Sequence, residues 1–435
     1  MNQFSFYLKN LLFTPIYEQG DILIGYASQT GTAKGLAEKS AELLQASGRS
    51  ASCLPLSQVS VEELDNYQQV LIFVSTYGHG EFPDNGIAFF DRLCERTNPL
   101  NTKVDIFAIG DRNYGLFCEA GKLLHEQFIR LEAAHDNNLQ LVDGAPYQRW
   151  QQWFADYSGL NPDGSVLDGP VQLAMTLTER GELHSQHCSI ERGAYRLRFT
   201  LAQTDKTIQF QSGDLIGVVP PNETLERLYS VSDVFDDGVE LCIGKVVYQQ
   251  GEVEVVGKCS DYLINRLSLN QPIEVSHRAQ GGLVLPKPQQ PLLMVATGTG
   301  IAPMMCLLRE RVATGASASN WLVFGNRHSE QDFYYQQDLE QMRSSGQLSR
   351  LDLAFSREGD KKVYVQDKLQ QNRQHVLRWL LDDNGLLYVC GQPMLKSAIR
   401  EVLVQALQER LGDATEAKVQ YQQLLDKQQI VYELY

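Results

Sequence analysis

What the sequence lacks narrows the field before any motif is considered. Its eight cysteines (Cys53, Cys94, Cys118, Cys188, Cys242, Cys259, Cys306, Cys390) include no Cys-x-x-Cys and no paired spacing, which argues against zinc, iron–sulfur clusters and a disulfide framework. They read as reduced thiols, and the expected location is the cytoplasm. No apolar run approaches the ~20 residues of a membrane span. The tract 4–16 is interrupted by Lys9, Asn10 and Pro15, and no small-x-small cleavage site follows it, so secretion is not expected. Basic excess is missing too. The chain carries 38 Lys/Arg against 53 Asp/Glu, a formal charge of -15 with a pI near 5.0, which leaves a nucleic-acid role without electrostatic support and makes a basic protein partner plausible. The deficit is uneven: residues 1–160 hold 19 acidic against 11 basic side chains, so the first domain is the more acidic per residue.

What is present suggests two or three domains with full cores, since the chain has 435 residues, 43% hydrophobic and 21% charged. A short apolar strand at 21–27 runs into Ser28-Gln29-Thr30-Gly31-Thr32-Ala33 at the mouth of a helical pattern over 32–47. Hydroxyls and bare backbone N–H groups at a helix amino end make an anion cradle. No lysine stands in a Gly-Lys-Ser/Thr position, so a single phosphomonoester fits better than a triphosphate. Taken alone, the loop reads better as a Ser/Thr cap on a buried strand-helix unit. Strands at 69–76, 103–109 and 139–142 alternate with helices and predict a doubly wound parallel α/β sheet over 20–158. Its carboxyl-end loops carry Ser75-Thr76-Tyr77-Gly78-His79-Gly80 and Gly110-Asp111-Arg112-Asn113-Tyr114. Tyr77 and Tyr114, set among glycines and polar residues, could sandwich a flat heterocycle above the cradle.

Residues 159–170 are dense in Gly, Pro, Asn and Asp and read as a linker. Short alternating strands follow at 197–201, 216–219, 240–243, 245–248 and 273–275, which predict a small antiparallel barrel over 171–287. Inside it, Arg227-Leu228-Tyr229-Ser230 offers a guanidinium for a pyrophosphate, a phenol to stack and a hydroxyl beside it. Gly257-Lys258-Cys259-Ser260 opens a helical segment at 261–267, a second helix amino end suited to a pyrophosphate. The last domain, 288–435, begins with a buried strand running into Thr297-Gly298-Thr299-Gly300 and a helix at 304–312. Arg327, Ser356, Arg357, Lys362, Tyr364 and Gln366 follow in order, then Cys390 and Gly391. That cluster of cations and hydroxyls on one nucleotide site favours NADPH over NADH.

Three loops in order, Ser-Gln-Thr-Gly-Thr-Ala, Ser-Thr-Tyr-Gly-x-Gly-Glu-x-Pro-Asp-Asn and Gly-Asp-x-x-Tyr-x-x-Phe-Cys, resemble the FMN-binding loops of diflavin reductases. The likeness is nearest the sulfite reductase flavoprotein subunit and the microsomal NADPH–haemoprotein reductases. It implies that residues 28–33 hold the FMN phosphate and that Tyr77 and Tyr114 flank the ring. Ser75, Thr76, Gly78, Gly80, Gly110, Asp111, Phe117 and Cys118 complete that site. The barrel motifs resemble the FAD half of the ferredoxin-NADP reductase family, implying Arg227 and Ser260 on the pyrophosphate, Tyr229 on the ring and Ser230 at its reactive nitrogen. Leu228, Val246, Val247, Gly257, Lys258 and Cys259 join them. The third domain resembles the NADP half of that family, with Pro303 and Met394 added to the residues above. The ending Glu433-Leu434-Tyr435 is similar to that family's carboxyl terminus, implying Tyr435 as a lid on the FAD and Ser230, Cys390 and Glu433 as the hydride-transfer cluster. One departure stands out. Only residues 221–226 separate Pro220 from Arg227, where diflavin relatives insert a helical connecting domain.

The resemblance implies electron flow from NADPH to FAD to FMN to a haem or iron–sulfur acceptor protein, docked at the acidic first domain. A flavin suits that relay because it exchanges electrons in pairs or singly. Two other readings stand beside it: an electron-delivery subunit of a sulfite reductase-like complex with no independent activity, and a scaffold that kept the folds and lost a flavin.

Overall fold

The computed structural model describes residues 21–434 apart from 29–30, 77–79, 81, 111, 113–115, 144–145, 161, 163–170, 186–192, 203–207, 224–225, 251–252, 280–284 and 360. The chain divides into two compact units, Met1–Asp168 and Gly169–Tyr435.

In the first unit, β1 (Ile22–Ala27), β2 (Ala51–Pro55), β3 (Gln69–Ser75), β4 (Lys103–Gly110) and β5 (Leu139–Asp143) form one parallel sheet. The order β2-β1-β3-β4-β5 is that of a flavodoxin-like sheet. The strands are apolar on both faces because both are covered. Ile22, Ile24, Leu71, Phe73 and Phe107 point to the layer of α1 (Thr32–Ala46) and α4 (Pro146–Ser158). Leu23, Val70, Ile72, Val74, Val104 and Ile106 point to that of α2 (Asp84–Glu95) and α3 (Glu119–Arg130). Trp150 is buried in the first layer and donates its indole N–H to Ser40 Oγ at 2.8 Å, so the ring is packed without an orphaned donor.

The second unit holds a closed antiparallel barrel and a parallel α/β sheet. The barrel strands are β6 (Val171–Glu182), β7 (Ala194–Leu201), β8 (Leu215–Val218), β9 (Arg227–Phe235), β10 (Gly238–Gly244) and, after the hairpin of β11 (Val247–Gln250) with β12 (Val253–Val256), β13 (Pro272–Arg278). Of residues 245–248, expected as a barrel strand, 245–246 lie in no strand and 247–248 instead start that separate two-stranded hairpin. An alternating apolar pattern suits a hairpin arm as well as a barrel strand, and Lys245 N, donating to Gly193 O at 2.8 Å, ends the β10–β7 pairing before the hairpin begins. The long β6 was not foreseen, although its inward residues Leu173, Met175 and Leu177 alternate as a strand should.

The parallel sheet orders β16 (Arg350–Phe355), β15 (Asn320–Asn326), β14 (Leu292–Thr297), β17 (Leu386–Gly391) and β18 (Ile430–Leu434). Helix α5 (Ile301–Ala313) leaves the glycine turn after β14 and carries Arg309 to the barrel. There its guanidinium donates to Ser232 O at 3.0 Å and pairs with Asp233 at 3.2 Å and Glu240 at 3.4 Å. Helices α6 (Gln336–Ser344), α7 (Val365–Gln371), α8 (Met394–Leu411) and α9 (Ala414–Asp426) complete the layers.

Candidate functional site

The first site lies at the carboxyl ends of β1, β3 and β4, where ligands of such sheets sit. Gly31 precedes α1 with φ 84, and no side chain caps that helix. Its first N–H groups and positive dipole end are left for an anion. The Ser28 hydroxyl beside it is buried with no hydrogen-bond partner among the described residues. A buried hydroxyl without a partner is costly, and a phosphate oxygen at this cradle would satisfy it, so the residues fit the FMN phosphate. Thr76 N donates to Ile109 O at 2.8 Å, and its hydroxyl accepts from Ala120 N at 3.2 Å, the first turn of α3. Cys118 is in a left-handed conformation and donates to Ala108 O at 3.3 Å; burial pushes its thiol up to about 11. It locks the loop and stays protonated. Arg112 lies over the Phe117 ring at 5.1 Å. Gln29, Thr30, Tyr77, Gly78, Asp111 and Tyr114 lie outside the described residues.

On the barrel, Arg227 is exposed, and its guanidinium donates to Glu226 O at 3.3 Å. Leu228 and Val246 are also exposed, at 39% and 49%. An exposed cation edged by open apolar side chains fits a dinucleotide with a charged middle and flat ends. Tyr229 is half-buried with its hydroxyl against the Cys259 thiol, and burial holds its phenol far above the usual range. Ser260 is buried and its hydroxyl donates to Gly257 O at 3.0 Å, so in this structure it braces the turn. Lys258 pairs with Glu223 at 2.8 Å.

The third site is a cavity of about 760 Å³ at the end of β14, within the range of small-molecule sites. Thr297, Gly298, Thr299, Arg327, Ser356, Arg357, Tyr364, Gln366 and Met394 line it, together with Lys245, which follows β10, and Val247 of the hairpin. The turn is tight because Gly300 approaches β17 closely: a Cβ there would stand 2.4 Å from Cys390 O. Three cationic residues, Lys245, Arg327 and Arg357, against one acid, Asp332, give the lining the sign a phosphorylated dinucleotide requires. Gly300, Pro303, Lys362, Cys390 and Gly391 do not line it, and Lys362 is exposed.

Three of the residues expected at hydride transfer, Ser230, Cys390 and Glu433, lie together. Ser230 donates to Oε1 of Glu433, and Tyr388 donates to Oε2 of the same carboxylate. Glu433 stands in register with Cys390 across β17 and β18. Burial raises the Glu433 carboxyl above its usual range, while the two hydroxyl donors pull it down. Burial, then the Glu433 charge, keeps the Cys390 thiol protonated. Tyr388 and Lys245 were missed in the sequence. A tyrosine inside the otherwise apolar run 386–389 is the one signal that could have marked the first. Tyr435 lies outside the described residues.

A phosphate cradle on a flavodoxin-like sheet, with a barrel and a cation-lined nucleotide cavity in the same chain, defines a flavoprotein oxidoreductase. Residues 24–148 match the family model described as Flavodoxin, and residues 294–401 the Oxidoreductase NAD-binding domain. The chain is 30% identical to the sulfite reductase [NADPH] flavoprotein alpha-component of Thiocapsa roseopersicina, over 88% of this chain and 83% of that protein. It is 25% identical to that of Bacillus subtilis (strain 168), over 85% and 82%. The likeness to the Vibrio cholerae O1 (El Tor Inaba N16961) protein is 26%, over 92% and 85%, and its aligned span of 529 exceeds this chain's 435 residues. The chain belongs to the diflavin reductase family: it is an NADPH-dependent flavoprotein reductase that uses FMN, FAD and NADP in electron transport. After β8, Glu223 N donates to Pro220 O at 3.1 Å. Among the described residues, no helix is long and apolar enough to cross a membrane.

Proposed function

We propose that NADPH enters the cavity at β14, with Ser356, Arg357 and Tyr364 recognising its 2′-phosphate and Lys362 closing over it. Arg227 and Ser260 hold the FAD pyrophosphate, and Tyr229 its ring. Residues 28–33 hold the FMN phosphate, with Tyr77 and Tyr114 on its ring. When bound, the two flavins turn a hydride from NADPH into single electrons for an iron-containing acceptor. The protein's share is positional. Ser230 holds a hydroxyl proton against Glu433, Tyr388 fixes that carboxylate from its other oxygen, and the neutral Cys390 thiol keeps the neighbouring position uncharged. Tyr435 covers the site until the nicotinamide displaces it.

The observation that carries this reading is the bond from Ser230 on the barrel to Glu433 on the parallel sheet, because it sets a proton-handling pair where the two folds meet. The acceptor is a haem or iron–sulfur protein that docks on the acidic first unit in the cytoplasm. The name of the relatives, alpha-component of a sulfite reductase, favours a second reading in which the chain delivers electrons only within a complex. Co-purification followed by NADPH-driven reduction of the captured partner tests both. A haemoprotein reduced through this chain supports delivery, and a chain that reduces no protein acceptor, alone or with the captured partner, contradicts it.

A further inference from the structure

The amino end of α2 contains a side chain whose hydrogen bond is not used on its own helix. Asn85 occupies the second position of α2, and no side chain caps that helix. Its Oδ1 instead accepts the backbone N–H of Ser28 at 3.1 Å, across 57 residues. Ser28 is the residue whose hydroxyl is buried without a partner at the cradle. The reach depends on a close approach: a Cβ at Gly86 would sit 2.9 Å from the Ala27 Cβ, so α2 is drawn against the end of β1. Gly86 N donates to Pro83 O at 2.8 Å and tightens the turn that delivers Asn85.

We propose that Asn85 is a positioning residue for the phosphate loop: by holding the Ser28 N–H it sets the Ser28 hydroxyl toward a phosphomonoester and so makes the first site select FMN over riboflavin. The inference rests on the reading of residues 28–33 as the FMN phosphate cradle. A Ser28 N–H held by a carboxamide is placed before the ligand arrives, so the ordering cost of binding at this residue falls. The isoalloxazine ring is common to both ligands. Only the phosphate distinguishes them, so a defect confined to this loop should leave riboflavin binding alone.

The test uses the full chain with FAD retained and FMN removed, titrated with FMN and separately with riboflavin by flavin fluorescence. N85A should bind FMN about tenfold more weakly, a change of about 1.4 kcal/mol, and riboflavin as the native chain does. Gly86→Ala, which pushes α2 from β1, should show the same selective loss. Equal losses for the two ligands would assign Asn85 to packing and overturn the proposal. So would unchanged FMN affinity in N85A, or an N85A chain too unstable to titrate. A native chain that binds FMN no better than riboflavin would contradict the cradle itself.

Discussion

The Ser230 hydroxyl, on barrel strand β9, donates to a carboxylate oxygen of Glu433, 203 residues further on in β18. This bond joins the barrel to the edge strand of the parallel sheet and gives the site a pH dependence. Burial holds the Glu433 carboxyl above its ordinary 4.5. Glu433 therefore takes up its proton at a higher pH than a free glutamate does, and the ionised form that accepts from Ser230 is lost as pH falls through the raised value. Stopped-flow reduction of FAD by NADPH should slow on the acid side at a pH above 4.5, and Glu433→Gln should abolish that limb.

Tyr388→Phe removes the second donor to the same carboxylate. Losing a hydrogen bond to a charged group costs about 1.5–3 kcal/mol, so FAD reduction should slow about tenfold at neutral pH. The acid limb should move upward, because the phenol lowers the Glu433 value. NADP affinity, measured by difference spectra, should not change, since Tyr388 does not line the cavity.

The parallel sheets were legible in the sequence because strands buried on both faces are continuous apolar runs, as in residues 70–74 and 292–296. The glycine turns before α1 and after β14 were legible because glycine at the end of an apolar strand marks a turn. The hairpin of β11 and β12 was not, since alternation does not say which strand lies beside which. Contacts made across long separations left no local trace: Asn85 reaches Ser28, and Arg309 reaches Asp233 and Glu240, only once the chain is folded.

Arg357→Ala should raise the KM for NADPH about 10- to 100-fold, the loss of one or two charge-assisted bonds. The KM for NADH, which lacks the 2′-phosphate, should stay within about twofold on the same reasoning. Steady-state kinetics with both cofactors make the comparison, and equal effects would place the phosphate pocket elsewhere.

Arg309→Met should strip the counter-charge from half-buried Asp233 and buried Glu240, a loss of about 1–3 kcal/mol for charged acceptors left without their donor. Burial already raises the Asp233 carboxyl, and Arg309 is the nearest charge opposing that rise. In the variant the protonated form is favoured further, so the deficit is full above the folded value and shrinks as pH falls through it. Urea denaturation of the second unit's fluorescence at several pH values would follow this.

The central claim is that electrons pass from FAD to FMN before they leave the chain. Its most direct measurement is NADPH-driven reduction of cytochrome c and of ferricyanide by protein from which FMN alone has been removed. The account predicts that ferricyanide reduction survives while cytochrome c reduction collapses and returns when FMN is added back. Cytochrome c reduction undiminished without FMN would contradict it.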